Sequence, residues 1–481
     1  MMERMSPLDA GFLDLEDGDR HASLAIASVA IFEGPAPTYA EFLAAIAGRL
    51  PLVPRYRQKA RRLPLDLGRP VWVDDPRFDL RYHLRQTALP APGGDEQLRH
   101  LIERVMAQRL DRERPLWECW LVEGLEDGRW ALLTKVHHCM MDGVAGTDLY
   151  RLLFDAAPEP SPPVEDDWRP AGEPSTLRLA AAAIGELAFS PLEQVRALRG
   201  ALRTPSRLVG RTMETARGLA ALAGVLLPVH ISSLSGPVGR SRRYRWVTAS
   251  LADVKAVRQQ LGGTVNDVAL AVISGAFRRL LLARGEQPRP HVIRTLVPVS
   301  VRPSGQEGVF DNRVSLLLAD LPVQVADPAR RLAAVNAQLA ALKASKEAQA
   351  GETMTSLARY EPFPLLSLGL RLLFRVPQRN IVTVTTNVPG PPWPLYAMGR
   401  RVLTILPYVP IATTVRVGIA VFSYCDQVIF GITADRGSTP DIDVLAAGIR
   451  DSLAELVEAA HTQGRRGSAG HRPRRRLKGA V

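Results

Sequence analysis

The sequence predicts an α/β fold of two lobes, and three observations carry that prediction. Strand-like and helix-like stretches alternate over residues 1–155 and again over 237–462. A proline- and acid-rich stretch, residues 156–174 (APEPSPPVEDDWRPAGEP onward), separates them and reads as an exposed linker. At 481 residues the chain is long enough for two or more hydrophobic cores.

The elements follow in order. Residues 130–136 (WALLTKV) read as a buried strand, and a helix is expected from near Val144 to Asp155. Beyond the linker, residues 177–227 are rich in Ala, Leu and Arg and are broken by Pro191 and Pro205, which predicts two or three amphipathic helices within a connecting region, 156–236. Thr264 with Asp267 three residues on opens a helix over 265–283. Residues 292–299, 313–321 and 381–388 read as strands, 413–434 as two strands around Cys425-Asp426, and 441–460 as an amphipathic helix. Residues 463–481 form a basic tail, expected to be disordered.

Composition narrows the class. Hydrophobic residues make up 46% and charged residues 23%, the proportions of a globular protein. Cys119, Cys139 and Cys425 fit neither a disulfide framework nor a paired CxxC metal site, so a reducing compartment and no metal are expected. The first nineteen residues carry acids where a signal peptide needs a basic and then an apolar segment. Residues 218–231 are apolar but short and interrupted by Pro228, so no spanning helix is expected, only a core helix or one lying on a membrane surface. The net charge of +12 falls to +5 without the seven Lys/Arg of the tail, which has no acid. With no aromatic residue on which a base could stack, the tail carries no nucleic-acid function; contact with anionic lipid fits it better.

The chemistry points to His137-His138-Cys139-Met140-Met141-Asp142-Gly143, an HHxxxDG sequence placed between the strand and the helix. Histidine can take and return a proton near neutral pH, a nearby carboxylate can hold the structure that aims the ring, and glycine lets backbone or substrate approach closely. The plain alternative is two packed histidines and an aspartate that caps the next helix. Cys139 is a spectator in either case.

Further blocks place the motif in a family. They are Ser6-Pro7-Leu8-Asp9 with Phe12-Leu13, Arg114-Pro115-Leu116-Trp117, Thr264-Val265-Asn266-Asp267, Val297-Pro298-Val299-Ser300 with Arg302, Asn387-Val388-Pro389-Gly390, Ser423-Tyr424 and Ala434-Asp435. With these in order the chain resembles the bacterial wax ester synthase/diacylglycerol acyltransferase family, within the superfamily of CoA-dependent acyltransferases and peptide-synthetase condensation domains. The resemblance implies two chloramphenicol-acetyltransferase-like lobes with a tunnel between them, acyl-CoA entering from one face and the acceptor from the other. It implies His138 as general base toward a diacylglycerol or fatty-alcohol hydroxyl, with no acyl-enzyme and no cofactor beyond acyl-CoA as co-substrate. Asp142 would be structural and paired to an arginine, for which Arg302 is nominated; His137 would pack and hydrogen bond, and Gly143 would support the turn.

For the remaining blocks both readings stand. Pro115, Leu116 and Trp117 suit a core or tunnel wall. Asp267 suits a helix cap, while Asn266 at the same helix start could favour developing negative charge. Residues 361–375 suit a buried helix or one facing a membrane near the acyl entrance. Where many members carry a His-Met pair, this chain reads Arg20-His21-Ala22-Ser23. A cytoplasmic enzyme in peripheral contact with the inner membrane face or with lipid droplets is expected. The competing readings are a non-enzymatic lipid-droplet coat of the same fold, a condensation-type enzyme using a carrier-protein thioester, and an HxxxxD glycerol-phosphate acyltransferase built on His137 and Asp142. No GxSxG elbow is present to suggest a serine hydrolase.

Overall fold

A computed structural model of the chain describes residues 3–64, 68–140, 152–181, 232–300, 314–344 and 381–469. The expected helices over 177–227 from residue 182 on, the apolar stretch 361–375, most of the helix after Val144 and the end of the tail lie outside these residues.

The strands, in chain order, are β1 (Glu3–Arg4), β2 (Ala25–Phe32), β3 (Gln58–Arg61), β4 (Val71–Asp74), β5 (Leu84–Ala88), β6 (Trp117–Glu123), β7 (Trp130–His137) and β8 (Arg242–Ser250), then β9 (Arg294–Ser300), β10 (Val314–Asp320), β11 (Thr383–Pro389), β12 (Tyr396–Ala397), β13 (Arg400–Tyr408), β14 (Val417–Tyr424) and β15 (Gln427–Asp435). The helices are α1 (Pro7–Gly18), α2 (Tyr39–Ala47), α3 (Leu80–His83), α4 (Asp95–Ala107), α5 (Leu251–Leu261), α6 (Val265–Ala283), α7 (Pro328–Ala344) and α8 (Ile442–Ala469).

Two six-stranded sheets organise the lobes. The N-terminal sheet runs β12-β13-β2-β7-β6-β5 and the C-terminal sheet β10-β9-β11-β14-β15-β8, with a small β1-β4-β3 sheet beside the first. Every residue of β7 is buried, Thr134, Lys135 and His137 included, as in a central strand covered on both faces. The strands expected over 292–299, 313–321 and 381–388 and the pair around Cys425-Asp426 are β9, β10, β11, β14 and β15.

Thr264 opens α6 as expected: its side chain accepts the Asp267 N–H, and Asp267 reaches back to the Thr264 N–H, a reciprocal cap. Gly448 of α8 lies where a Cβ would stand 2.9 Å from the Ala276 Cα of α6, so the glycine lets the two helices cross closely. The helix expected over 441–460 runs on to Ala469, through Gly464 and Gly467.

Chain halves and sheets do not coincide. β13, from the C-terminal region, pairs antiparallel with β2 over Val402–Tyr408, and β12 pairs with β13. In return α4 of the first lobe covers the edge strand β8, where Glu103 accepts the Tyr244 N–H at 2.9 Å and pairs with Arg245 at 3.3 Å. The Tyr244 hydroxyl donates to the Pro407 carbonyl of β13 at 2.8 Å. Arg242 donates to the His21 carbonyl at 2.7 Å, and the Thr413 N–H to Asp19 at 3.2 Å, so the joint is hydrogen bonded along its length.

The proline-rich stretch after residue 155 has no regular structure and is mostly exposed, yet it is strapped to the first lobe. Asp155 pairs with Arg49 at 2.5 Å, Asp166 with Arg57, Glu173 with Arg61 and Lys59, and the Val164 N–H donates to the Gly48 carbonyl at 2.7 Å.

Candidate active site

The site is built where β7 ends. The strand places His137 opposite Ala25 of β2, and His138 begins a short turn through Met140. Two backbone bonds fix the exit. The His137 N–H donates to the Leu116 carbonyl at 2.9 Å and the His138 N–H to the Leu24 carbonyl at 3.0 Å. The Pro115-Leu116-Trp117 block therefore meets the motif through its backbone while its side chains are buried. The Trp117 indole N–H donates to the Tyr56 carbonyl at 2.8 Å, and its ring stacks on His83 at 4.6 Å.

The two motif histidines have different surroundings. His137 is buried, its Nε2 lies 3.0 Å from Glu16 Oε2, and its Nδ1 accepts the Cys139 N–H at 3.2 Å. An Nδ1 that accepts carries no proton, so His137 is the neutral ring with its proton on Nε2, donated to Glu16. Burial lowers its pKa against the pull of Glu16. For Glu16 burial works upward, but the His137 hydrogen bond, Arg112 at 3.3 Å and the Leu24 N–H together hold it below the usual carboxylate range.

His138 is half-buried, and Phe12 of α1 stacks on its ring with centroids 4.0 Å apart and planes inclined by 30°. Its Nδ1 is buried and has no hydrogen-bond partner among the described residues. Burial pulls its pKa down to about 4, opposed by its own backbone carbonyl, so the ring is neutral at neutral pH. The Cys139 thiol is buried and pushed well up by that burial, which keeps it an unreactive thiol.

Helix α1 forms the floor of this arrangement. Ser6 caps it, accepting the Asp9 N–H at 3.1 Å, and Pro7 occupies its first turn, so the Ser6-Pro7-Leu8-Asp9 block is a helix start. Phe12 and Glu16 stand four residues apart on one face and reach His138 and His137. Arg109 ties down the far end through the Glu16, Asp19 and Ala22 carbonyls. Lys135, two residues before His137, caps the end of α4 through the Val105 and Gln108 carbonyls at 2.9 and 2.6 Å; burial lowers its pKa to about 8.

The C-terminal blocks assemble among themselves. Asn387 of β11 donates to Asn266 of α6 at 3.2 Å. Gly390 donates to Ser423 Oγ at 3.2 Å, and a Cβ there would stand 2.1 Å from the Ser423 carbonyl, so the close approach needs glycine. The Tyr424 hydroxyl accepts the Leu395 N–H and donates to the Val402 carbonyl of β13. Asp435 accepts from Gly239 and Ser438 and shapes a turn. Asp142, Gly143 and Arg302 lie outside the described residues, and the pairing nominated for Asp142 and Arg302 lies there with them. Among the described residues no cluster of three or more His, Cys, Asp or Glu could hold a metal ion.

Glu16, Arg112 and the Leu24 peptide were not foreseen from the sequence. The signal available for Glu16 was its place four residues after Phe12, on the buried face of a short amphipathic helix.

Comparison with known proteins agrees with this architecture. Residues 5–269 match the family described as wax ester synthase/diacylglycerol acyltransferase catalytic domain, and residues 310–457 match the WS/DGAT C-terminal domain. A Mycobacterium tuberculosis protein named "Probable diacylglycerol O-acyltransferase" is 44% identical over 95% of this chain and 96% of its own length. The solved wax ester synthase/diacylglycerol acyltransferase of Marinobacter aquaeolei VT8 superposes with a TM-score of 0.67 at 27% identity, covering 96% of this chain and all of that one. A starter condensation domain of rhizomide synthetase shares the fold, with a TM-score of 0.58 at 17% identity over 96% of this chain and 94% of that one.

Proposed function

The chain belongs to the wax ester synthase/diacylglycerol acyltransferase family, and we propose that it moves a fatty acyl group from acyl-CoA to a hydroxyl. The acceptor is diacylglycerol, giving triacylglycerol, or a long-chain alcohol, giving a wax ester. The observation that carries the mechanism is the His138 imidazole. It is neutral, half-buried, held at a strand end by two backbone bonds and stacked on Phe12.

A thioester is already activated, so acceptor and donor meet directly. His138 takes the hydroxyl proton as the oxygen forms its bond to the thioester carbon. The tetrahedral adduct then expels the CoA thiolate, to which the imidazolium returns the proton. With Nδ1 turned inward, Nε2 is the nitrogen we assign to this exchange. General-base help is worth roughly 10²- to 10⁴-fold; alignment of the two substrates and stabilisation of the oxyanion supply the rest. Acyl-CoA is the co-substrate, and no step as written calls on another cofactor.

We place the enzyme at a membrane or lipid-droplet surface, touching it peripherally from the cytoplasmic side, since both acyl products and acceptors reside in lipid. Among the described residues no helix is long and apolar enough to cross a membrane.

The test is purified protein given one labelled acyl-CoA and a panel of diacylglycerol, monoacylglycerol and long-chain alcohol, with products separated by lipid class. Ester from diacylglycerol or alcohol is expected, with His138→Ala slower by roughly 10²- to 10⁴-fold and unchanged in melting temperature. Ester formation by His138→Ala at the parent rate would remove the general-base assignment. No ester with any acceptor would favour the non-enzymatic coat, and activity only with a carrier-protein thioester would favour the condensation-type reading.

A further inference from the structure

The peptide on each side of His138 is tied, and both ties lead to one oxygen. The His138 N–H donates to the Leu24 carbonyl at 3.0 Å, and the following N–H, that of Cys139, donates to His137 Nδ1 at 3.2 Å. The Leu24 N–H and the His137 Nε2–H in turn meet Glu16 Oε2 at 2.7 and 3.0 Å. Glu16 lies 121 residues away from His137 in sequence and is 1% exposed.

Burying a carboxylate is costly unless its lone pairs are used. Here Oε2 meets the two N–H groups that bear on the turn carrying His138, while Oε1 faces Arg112 at 3.3 Å. Were Glu16 removed, the His137 Nε2–H would be left buried without its acceptor, and the ring would favour moving its proton to Nδ1. An Nδ1–H cannot accept the Cys139 N–H, so the bond that shapes the turn would be lost with it. The same helix face presents Phe12 to the His138 ring at 4.0 Å, so α1 supports both the backbone and the imidazole of the residue.

We propose that Glu16 is a positioning residue for acyl transfer, fixing the tautomer of His137 and the path of Leu24 and through these two aiming the His138 imidazole. The proposal rests on the reading of His138 as general base. Glu16 touches no reacting atom in this scheme. It acts on the rate through orientation alone, and a displacement on the order of 1 Å at a reacting group can cost about 100-fold.

The experiment uses the full-length protein with acyl-CoA and the acceptor it esterifies fastest, comparing the parent with Glu16→Ala, Glu16→Gln, His138→Ala and the Glu16→Ala/His138→Ala double variant. Glu16→Ala is expected to lower kcat about 100-fold with KM for acyl-CoA changed less than about two-fold. Glu16→Gln, whose amide oxygen still accepts from both N–H groups, is expected to return kcat to within about five-fold of the parent. Imidazole nitrogen spectra of protein labelled at histidine should show His137 as the Nε2–H tautomer in the parent and Glu16→Gln, and not in Glu16→Ala. The double variant should be no slower than His138→Ala, because the two residues act as one unit.

A folded Glu16→Ala with kcat within about two-fold of the parent overturns the proposal, as does a double variant far slower than His138→Ala. Where Glu16→Ala does not fold, Glu16→Gln decides: the tautomer kept with kcat within about five-fold supports the proposal, and a loss near 100-fold with the tautomer kept overturns it. His138→Ala separates the two levels. If it retains parental activity the general-base reading itself falls, whereas an inactive His138→Ala beside a fully active Glu16→Ala removes only the role of Glu16.

Discussion

The two lobes share a layered plan but fill it with different chemistry. In the N-terminal core Phe32 stacks on Trp130 at 4.1 Å, Phe78 and Trp117 flank His83 at 5.2 and 4.6 Å, and Tyr56 meets Trp117 edge-on. Buried Glu16, Lys135 and His137 thread through the same lobe. Among the described residues the C-terminal hydrophobic cluster is Val, Leu, Ile and Ala with Phe277 and Phe430, and buried Arg331 donates to the Ala271 carbonyl beside it at 3.1 Å. Aliphatic burial is strong but non-directional, and it tolerates rearrangement. Rings with polar handles and fixed hydrogen bonds hold orientation. The lobe that carries the motif histidines makes more use of the second kind of packing.

That contrast can be tested by truncating one core residue in each lobe. Trp117→Ala should cost about 3–5 kcal/mol and Leu280→Ala about 2–5 kcal/mol in denaturant unfolding. The informative difference lies in the rate. Trp117→Ala should lower kcat even at temperatures where it is folded, because Trp117 adjoins the Leu116 carbonyl that holds His137. Leu280→Ala should leave kcat unchanged. Equal effects on kcat would mean that the lobes do not divide the work in this way.

Acid should strain the aromatic lobe selectively. His83 is fully buried, its Nδ1 lies 2.8 Å from the Trp117 carbonyl, and burial lowers its pKa from 6.5 to about 4. Between these values the unfolded chain binds the proton and the folded chain does not, so stability rises with pH there and falls as pH drops from 6.5 toward 4. A shift of that size corresponds to about 3 kcal/mol at its limit. His83→Phe should make that part of the stability–pH curve shallower, measured by denaturant midpoints at intervals from pH 7 to pH 4, with the lowered His137 and His138 contributing the remaining slope. An unaltered slope would remove His83 as its source.

The smallest effect is expected at the start of α6. Thr264→Ala removes a reciprocal cap and should cost about 1 kcal/mol, with no change in kcat if Asn266 beside it takes no part in the chemistry. A fall in kcat larger than the loss of stability explains would instead draw that helix start into the site.

The legible parts of the sequence were those whose signals are local. α6 was predicted by its cap residues, β7 by the largely apolar run WALLTKV, and β14 and β15 by two runs about Cys425-Asp426. The motif histidines stood out by spacing, and the resemblance supplied their roles. Glu16 was not legible, because its bond to His137 spans 121 residues and no spacing rule joins them. The end of α8 was missed because residues from 463 on read as a disordered basic tail, whereas the helix runs on to Ala469. The passage of β13 into the first sheet has no local signature at all, since an antiparallel strand reads the same whichever sheet receives it.

That borrowed strand makes the molecule indivisible at its most obvious seam. A protease nicking the proline-rich stretch near residue 160 would separate two chain segments but not two folding units. The leading fragment would be left with the row of amides along Ala27–Phe32 unclosed, an edge of the kind that invites stacking with other copies. The full sheet therefore forms only after the ribosome has released sequence beyond residue 408.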